Sequence, residues 1–535
     1  MLLQVNNLSA CFRTGGETVT AVDDVSFHLN KGETFCLVGE SGSGKSVSAL
    51  SIMRLLPQET AFHPQGEILF GETNLLTLPD EQMRDIRGGR ISMIFQEPMT
   101  SLNPVFTIGD QLIEALQLHR PTLTWEAAEK QAIEALEQVQ IPEATQRMGE
   151  YPHRLSGGQR QRVMIAMAMI CEPDLLIADE PTTALDVTVQ AEILRLMNEL
   201  QARRGTSILF ITHDFGVVSH MADRLAVMRQ GKIVETGGLD ETLHRPQHDY
   251  TKALLNALPE NLQRTQELLV EDAEPIIELQ DVQVHFPIKR GVLRRTVDHV
   301  HAVDGVTLNI DKGRILALVG ESGCGKTTLG RAIIRLLNTT SGSIKFEGQD
   351  ITQLSRRQMQ PLRSKMQIIF QDPMASLNPR LHVATTLTEP MAAHGVGNSQ
   401  DERLELAAQM LESVQLERSH LWRYPHEFSG GQRQRISIAR ALVLNPSFIV
   451  CDEVTSALDV SVQAEILQIL LDLRRERGLT LLFITHNIGV VEYVSDETAV
   501  MYAGQIVEHG LTAKVCGSPE HEYTQKLLAA APRVN

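Results

Sequence analysis

The chain has 535 residues, 42% of them hydrophobic and 21% charged, with a formal net charge of −17. That length exceeds one hydrophobic core and suggests about three to five folded units, while the ordinary composition excludes a disordered or fibrous class. The acidic balance argues against a protein that grips nucleic-acid phosphates.

The longest apolar runs fall short of the ~18 residues of a transmembrane helix. The N-terminus, MLLQVNNLSACFRTGGE, lacks the charged and apolar regions of a signal peptide. The chain is therefore expected to stay in the cytosol and to reach a membrane only through a partner. Cys11, Cys36, Cys171, Cys324, Cys451 and Cys516 are widely spaced with no CxxC pair. They read as reduced, mostly buried thiols.

In chain order, Thr34–Val38 reads as a strand, followed by a glycine-rich turn and a helix over Ser46–Leu56. The stretch between Gln96 and Ser156 reads as helical, for example over Trp125–Val139. Leu175–Ala178 and Ile208–Ile211 are continuous apolar runs, as in strands buried on both faces. This alternation is that of an α/β fold with a parallel sheet and a helical insertion. His248–Pro259, HDYTKALLNALP, reads as a short amphipathic helix packed on its domain.

The pattern then repeats. AVDDVSF at Ala21 returns as AVDGVTL at Ala302, FQEPMTSLNP at Phe95 as FQDPMASLNP at Phe370, and SGGQRQR at Ser156 again at Ser429. ITHD at Ile211 returns as ITHN at Ile484, and the tail as HEYTQKLLAAAP at His521–Pro532. Such self-similarity marks two homologous halves. We expect a first domain at 1–260, a polar, acidic linker at 261–275 and a second domain at 276–535. The basic run Lys289, Arg290, Arg294 and Arg295 reads as a solvated loop inserted before the second domain.

Both halves carry G-x-x-x-x-G-K-[ST] between a strand and a helix, at Gly39–Ser46 and Gly320–Thr327. Gly39, Gly42 and Gly44, with Ser41, let the backbone wrap a phosphate, as do Gly320, Gly323 and Gly325 with Ser322. Lys45 and Lys326 would neutralise β- and γ-phosphates, and Ser46 and Thr327 would offer hydroxyls to Mg²⁺. The strands LLIADE and FIVCDE each end in two carboxylates. Asp179 and Asp452 are candidates to hold Mg²⁺, and Glu180 and Glu453 to polarise the attacking water.

With these residues in place, SGGQ at Ser156, Gly157, Gly158 and Gln159, and at Ser429, Gly430, Gly431 and Gln432, resembles the signature of ATP-binding-cassette ATPases. The resemblance implies two tandem cassettes, each a P-loop α/β core with a helical subdomain and an antiparallel β subdomain, using ATP and Mg²⁺. It implies that Gln96 and Gln371 touch nucleotide and metal and link the site to a transmembrane partner. It further implies that His213 and His486 lie near the γ-phosphate, that Phe12 and Phe286 stack on adenine, and that Asp186 and Asp459 touch the opposite cassette. Two hydrolytic sites are implied, Lys45 and Glu180 working with Ser429–Gln432 and Lys326 and Glu453 with Ser156–Gln159. Val454 departs from the family pattern, which has proline there, and a modest effect is expected.

The tails, FQEPMTSLNPVFTIGDQ and YPHRLSGGQRQRVMIAMAM are similar to the peptide and nickel importer branch of that family. This implies a peripheral subunit on the cytoplasmic face of a bacterial inner membrane. It would energise two separate permeases, served by a solute-binding protein, for glutathione, dipeptides or oligopeptides, with no nucleic-acid partner. The alternatives are a tandem-cassette ATPase acting on ribosomes, a DNA-repair cassette protein or an exporter motor. The short linker, the absence of zinc-ligand cysteine pairs and the lack of fused membrane spans weigh against these in turn.

Overall fold

The computed structural model describes residues 1–96, 101–182, 185–264, 273–290, 295–456 and 458–534. The chain divides into two compact units, Met1–Leu185 with Val189–Asn256, and Ala257–Ala531. Most of the expected linker, 265–272, lies outside the described residues, as does Arg294.

In the first unit, β1 (Leu3–Thr14) and β2 (Glu17–Leu29) form an antiparallel pair. β3 (Thr34–Val38) is buried along its length. β4 (Ala61–Phe70) and β5 (Thr73–Asn74) complete an antiparallel sheet of order β2-β1-β4-β5. The second sheet adds to β3 the strands β6 (Ile91–Ile94), β7 (Leu175–Asp179), β8 (Ser207–Thr212), β9 (Arg224–Arg229) and β10 (Lys232–Gly238). Its order is β10-β9-β3-β8-β7-β6, parallel except for β10 at the edge.

The apolar runs earn that central position. Every residue of β3, β7 and β8 is buried, as a sheet covered on both faces requires. Phe35 and Phe210 are fully buried, and burying such a ring contributes about 1.5–3 kcal/mol. The region after β6 is helical, with Ile108–His119, Trp125–Gln138 and Gly157–Met169. Thr107 and Thr124 cap the first two with their hydroxyls.

The helix after β3 spans Lys45–Ile52, shorter than the expected Ser46–Leu56. Arg54 adopts a left-handed φ of 50°, which ends the helix before Pro57.

The second unit repeats the plan. β11 (Pro275–Arg290), β12 (Arg295–Asp311), β14 (Ser341–Phe346) and β15 (Gln349–Asp350) form an antiparallel sheet. Joining β13 (Ile315–Val319) in the second sheet are β16 (Met366–Ile369), β17 (Phe448–Asp452), β18 (Thr480–Ile484), β19 (Glu497–Tyr502) and β20 (Gln505–Leu511). Its order is β16-β17-β18-β13-β19-β20.

One expectation needs correction. Lys289 and Arg290 do not form a loop; they prolong β11, paired in register with Thr296 and Arg295 of β12. β-branched residues such as Val297 and Val300 suit that extension.

Candidate functional site

In each unit the strand order brings three carboxyl ends together. β8 lies between β3 and β7, with Val38 opposite Thr212 and Asp179 opposite Ile211. The glycine loop leaves β3, the acid pair leaves β7 and His213 follows β8, so one crevice at the strand ends receives all three.

The loop residues must be glycines where the chain turns tightly. Gly39 has φ 151° and Gly44 φ 103°. A Cβ on Gly39 would lie 2.3 Å from the Met228 carbonyl oxygen, and one on Gly44 2.7 Å from that of Ala21. In the second unit Gly320 and Gly325 would approach the Met501 and Ala302 oxygens to 2.2 and 2.0 Å. Ser41 and Gly42, like Ser322 and Gly323, stand exposed at the loop's open rim.

Lys45 is buried, and its Nζ donates to the carbonyls of Gly39 at 2.6 Å and Glu40 at 2.9 Å. Lys326 does the same to Gly320 at 2.7 Å and Glu321 at 2.8 Å. The ammonium is thus fixed inside its own loop, where a phosphate bound by the loop would meet it.

Ser46 Oγ donates to Asp179 Oδ1 at 3.0 Å, and Thr327 Oγ1 to Asp452 Oδ1 at 2.8 Å. A hydroxyl beside a carboxylate is a hard-oxygen donor set of the kind Mg²⁺ prefers, so the residues fit that ion. Burial pushes the Asp179 carboxyl up to about 6, the Ser46 hydrogen bond opposing the rise. Burial also raises Asp452, against the pull of Thr327 and of Arg331, whose guanidinium lies 3.7 Å away.

The remaining candidates converge on the second acid. Gln96 Nε2 donates to Glu180 Oε2 at 2.8 Å, and His213 Nδ1 lies 3.1 Å from Glu180 Oε1. Gln371 donates to Glu453 at 2.7 Å, while His486 stands 3.7 Å from it, beyond hydrogen-bond range. Burial lowers the affinity of His213 for a proton, but the hydrogen bond and charge of Glu180 outweigh it and the net shift is upward. Burial favours the protonated form of Glu453, yet His486 and Lys326 together bring it below the ordinary value. Glu180 and Glu453 hold left-handed φ angles of 47° and 49°, with their backbone N–H groups bonded to the Ile211 and Ile484 carbonyls. Each side chain is aimed by a backbone that costs about 1–2 kcal/mol for an L-residue.

The signature segments are gathered differently. Ser156 caps the helix Gly157–Met169, its hydroxyl accepting from Gln159 N while Gln159 accepts from Ser156 N. Ser429 and Gln432 repeat this capping box before Gly430–Leu442. A Cβ on Gly158 would come 2.7 Å from Val189, and one on Gly431 2.3 Å from Val462, whereas Gly157 and Gly430 face open space.

Phe12 sits in β1, half-buried against the core, and Phe286 in β11, 42% exposed. Asp459 precedes the helix Val460–Arg477 as its N-cap residue. Val454 is buried in its core cluster, so its side chain packs where Pro181 is buried in the first unit.

The sequence reading missed a contact made by the tails. Tyr250 donates its hydroxyl to Glu40 Oε2 at 2.8 Å, and the Tyr523 hydroxyl accepts from Glu321 N at 2.9 Å. Both partners are the second residue of a glycine loop. His248 and His521 set the tyrosines by accepting from their backbone N–H groups at 3.1 Å. The signal was the repeated H-x-Y-T together with the repeated Gly-Glu.

Comparisons with known proteins give the family. The ABC transporter family profile matches residues 22–183 and 303–456. The profile for the oligopeptide/dipeptide transporter C-terminal region matches 234–280 and 507–535, where the two tyrosine latches lie. The peptidoglycan transport ATP-binding protein YejF of Agrobacterium fabrum is 52% identical over 99% of this chain and 96% of its own length. The glutathione import ATP-binding protein GsiA of Salmonella typhimurium is 49% identical, and that of Escherichia coli 48%, each over 99% of this chain and 89% of its own. A dimeric post-hydrolysis ATP-binding cassette bound to ADP and Pi is 28% identical, with a TM-score of 0.41, over 44% of this chain and 98% of its own. Among the described residues no helix is long and apolar enough to cross a membrane. With two phosphate loops, two acid pairs and two signatures matched by family over most of its length, the chain belongs to the ABC transporter family and is an ATP-binding ATPase of that family.

Proposed function

We propose that the chain is the ATP-hydrolysing subunit of an importer for peptide-containing solutes, working through separate membrane permeases on the inner face of a bacterial inner membrane. The observation that carries the reading is the doubled constellation, in which Ser46 meets Asp179 and Gln96 and His213 meet Glu180, while Thr327 meets Asp452 and Gln371 meets Glu453. The names of the relatives, with the oligopeptide/dipeptide transporter profile, support a cargo of peptides, glutathione or peptidoglycan.

In this reading Lys45 and Lys326 neutralise phosphate charge, and Glu180 and Glu453 accept the proton of the attacking water. His213 orients Glu180 by its 3.1 Å contact. Mg²⁺, held by Ser46 and Asp179 or by Thr327 and Asp452, would supply charge neutralisation at the transferred phosphate when bound, with Gln96 and Gln371 at its edge. Phe12 and Phe286 take the adenine. The signature of each half serves the nucleotide of the other, which the family resemblance supports. The domain bounds 1–260 and 276–535 with a linker at 261–275 belong to the same proposal.

The test is ATPase activity of the chain reconstituted with its neighbouring permeases and binding protein, with glutathione, dipeptides, longer peptides, peptidoglycan fragments and nickel added in turn. Stimulation by a peptide-containing solute is expected. Intact basal hydrolysis with no response to any of them would keep the ATPase assignment and remove the peptide-importer reading.

A further inference from the structure

The second unit carries a cluster that none of the nucleotide chemistry uses. His285 of β11 and His301 of β12 are directly opposite in the strand register, with ring centroids 4.0 Å apart. Asp304 follows three residues later on β12. Its Oδ1 lies 3.6 Å from His285 Nε2 and 3.7 Å from His301 Nδ1. One ligand atom from each residue falls within 4.8 Å of the others. His285 Nε2 is buried and has no hydrogen-bond partner among the described residues.

We propose that His285, His301 and Asp304 form a site for a divalent transition-metal ion of the zinc or nickel type. The spacing carries the argument. At 3.6 and 3.7 Å the nitrogens are too far from the carboxylate to hydrogen-bond to it. Four-coordinate zinc, with bonds of about 2.0–2.1 Å, sets its ligand atoms about 3.4 Å apart. The two nitrogen–carboxylate separations exceed that by only a few tenths of an ångström, and all three ligand atoms lie within 4.8 Å of one another. A buried nitrogen left without a partner is otherwise unfavourable, and an ion at this point would satisfy it. Two imidazoles and one carboxylate are a donor set for zinc, nickel or copper rather than for Mg²⁺.

The surroundings suit such a site. Asp304 is held by its backbone N–H to the Gly504 carbonyl at 2.9 Å, and Gln505 Nε2 lies 3.5 Å from its Oδ2. The His301 side chain is 53% exposed, so an ion can enter from solvent and keep a water on its fourth position. Ala302, between the ligands, presents its carbonyl to Gly325 of the glycine loop, and Gly504 donates to Cys324 O at 3.0 Å. The ion would thus rest on the wall of the second phosphate loop.

At the equivalent positions of the first unit, Cys11, Thr20 and Asp23, the described residues form no such site. The register places Cys11 opposite Thr20, with Cys11 Sγ 3.5 Å from Thr20 Oγ1, and Asp23 is engaged by Lys232 at 3.1 Å.

The test is calorimetric titration of the full chain, freed of metal by chelation and held in excess Mg²⁺, with Zn²⁺ and separately with Ni²⁺. Wild type is compared with His285→Ala, His301→Ala and Asp304→Asn. One saturable equivalent per chain is expected, weakened at least about tenfold in each variant. Co²⁺ should give the visible absorption of a low-coordinate nitrogen-ligated ion in the wild type and lose it in the variants. His301→Ala and Asp304→Asn alter exposed or half-exposed side chains, so they keep the test valid should His285→Ala fold poorly. The absence of a saturable equivalent, or one that survives all three substitutions unchanged, would overturn the proposal.

Discussion

The two units hold the same reactive groups in different surroundings. Each has its loop lysine on two carbonyls, its hydroxyl on the first acid and its glutamine on the second. Around them the units part company. The helix after the first loop carries Leu50 where that after the second carries Arg331, which faces Asp452 at 3.7 Å. Ser43 in one loop is Cys324 in the other, and His213 hydrogen-bonds Glu180 where His486 stays 3.7 Å from Glu453. The groups assigned to bond breaking are duplicated, while those that set their electrostatics have diverged.

The strongest way to break this comparison is at the second acids. Glu180→Gln and Glu453→Gln should each lower ATP turnover by about 10²–10⁴-fold, or roughly 3–5 kcal/mol of barrier, with nucleotide binding kept. Steady-state ATPase and equilibrium ATP binding read both. A variant that keeps full turnover would show that the two sites are unequal.

The first acids come next. Asp179 has its folded-state value raised to about 6 from 3.8. Its neutral form therefore favours the fold. That contribution is complete below pH 3.8 and is lost as the pH rises through about 6. In the nucleotide-free chain Asp179→Asn should thus raise stability by the order of 1–3 kcal/mol at pH 8, with the gain shrinking as the pH falls toward 4. Thermal melts at both ends of that range check it. Asp452→Asn should gain less, because Arg331 already offsets its charge. Equal gains would mean that Arg331 does nothing for Asp452.

A smaller effect is expected at the tyrosine latches. Tyr250→Phe and Tyr523→Phe should each cost about 0.5–1.5 kcal/mol, read as a shift in the midpoint of unfolding. Tyr523→Phe should loosen the loop backbone at Glu321 N, and Tyr250→Phe only a side-chain contact. Hydrogen exchange at the two loops should therefore rise in the second unit alone. The smallest change is expected for Cys324→Ser, which copies the first loop into the second. Turnover should stay within about twofold, since Ser43 already lies 3.4 Å from Lys45 in that arrangement.

The loops and acid pairs were legible in the sequence because their geometry is local, and the signatures because they resemble a known family's motif. A phosphate loop needs its glycines within eight residues, and a capping box needs Ser and Gln three apart. The parallel core was legible because Phe35–Val38, Leu175–Ala178 and Ile208–Ile211 are apolar without interruption. What stayed hidden depends on register and on distant packing. His285 meets His301 only because the β11–β12 hairpin aligns them. Tyr250 reaches Glu40 across the fold, and Arg331 reveals its role only once Asp452 is placed beside it. The basic run was misread as a loop because charge alone does not tell a solvated strand from a solvated turn.

The left-handed glutamates carry a last consequence, for how such a chain would drift. Glycine at 180 or 453 would release about 1–2 kcal/mol of backbone cost against about 0.5–1 kcal/mol of unfolded-chain entropy. It would also remove a nearly buried charge. The backbone at these positions therefore exerts no pull to keep the acids, and what holds them in the fold is their side-chain contacts with Gln96, His213 and Gln371. A cassette relieved of the demand for turnover could lose its acid at the cost of those contacts alone, so the fold would tolerate that drift.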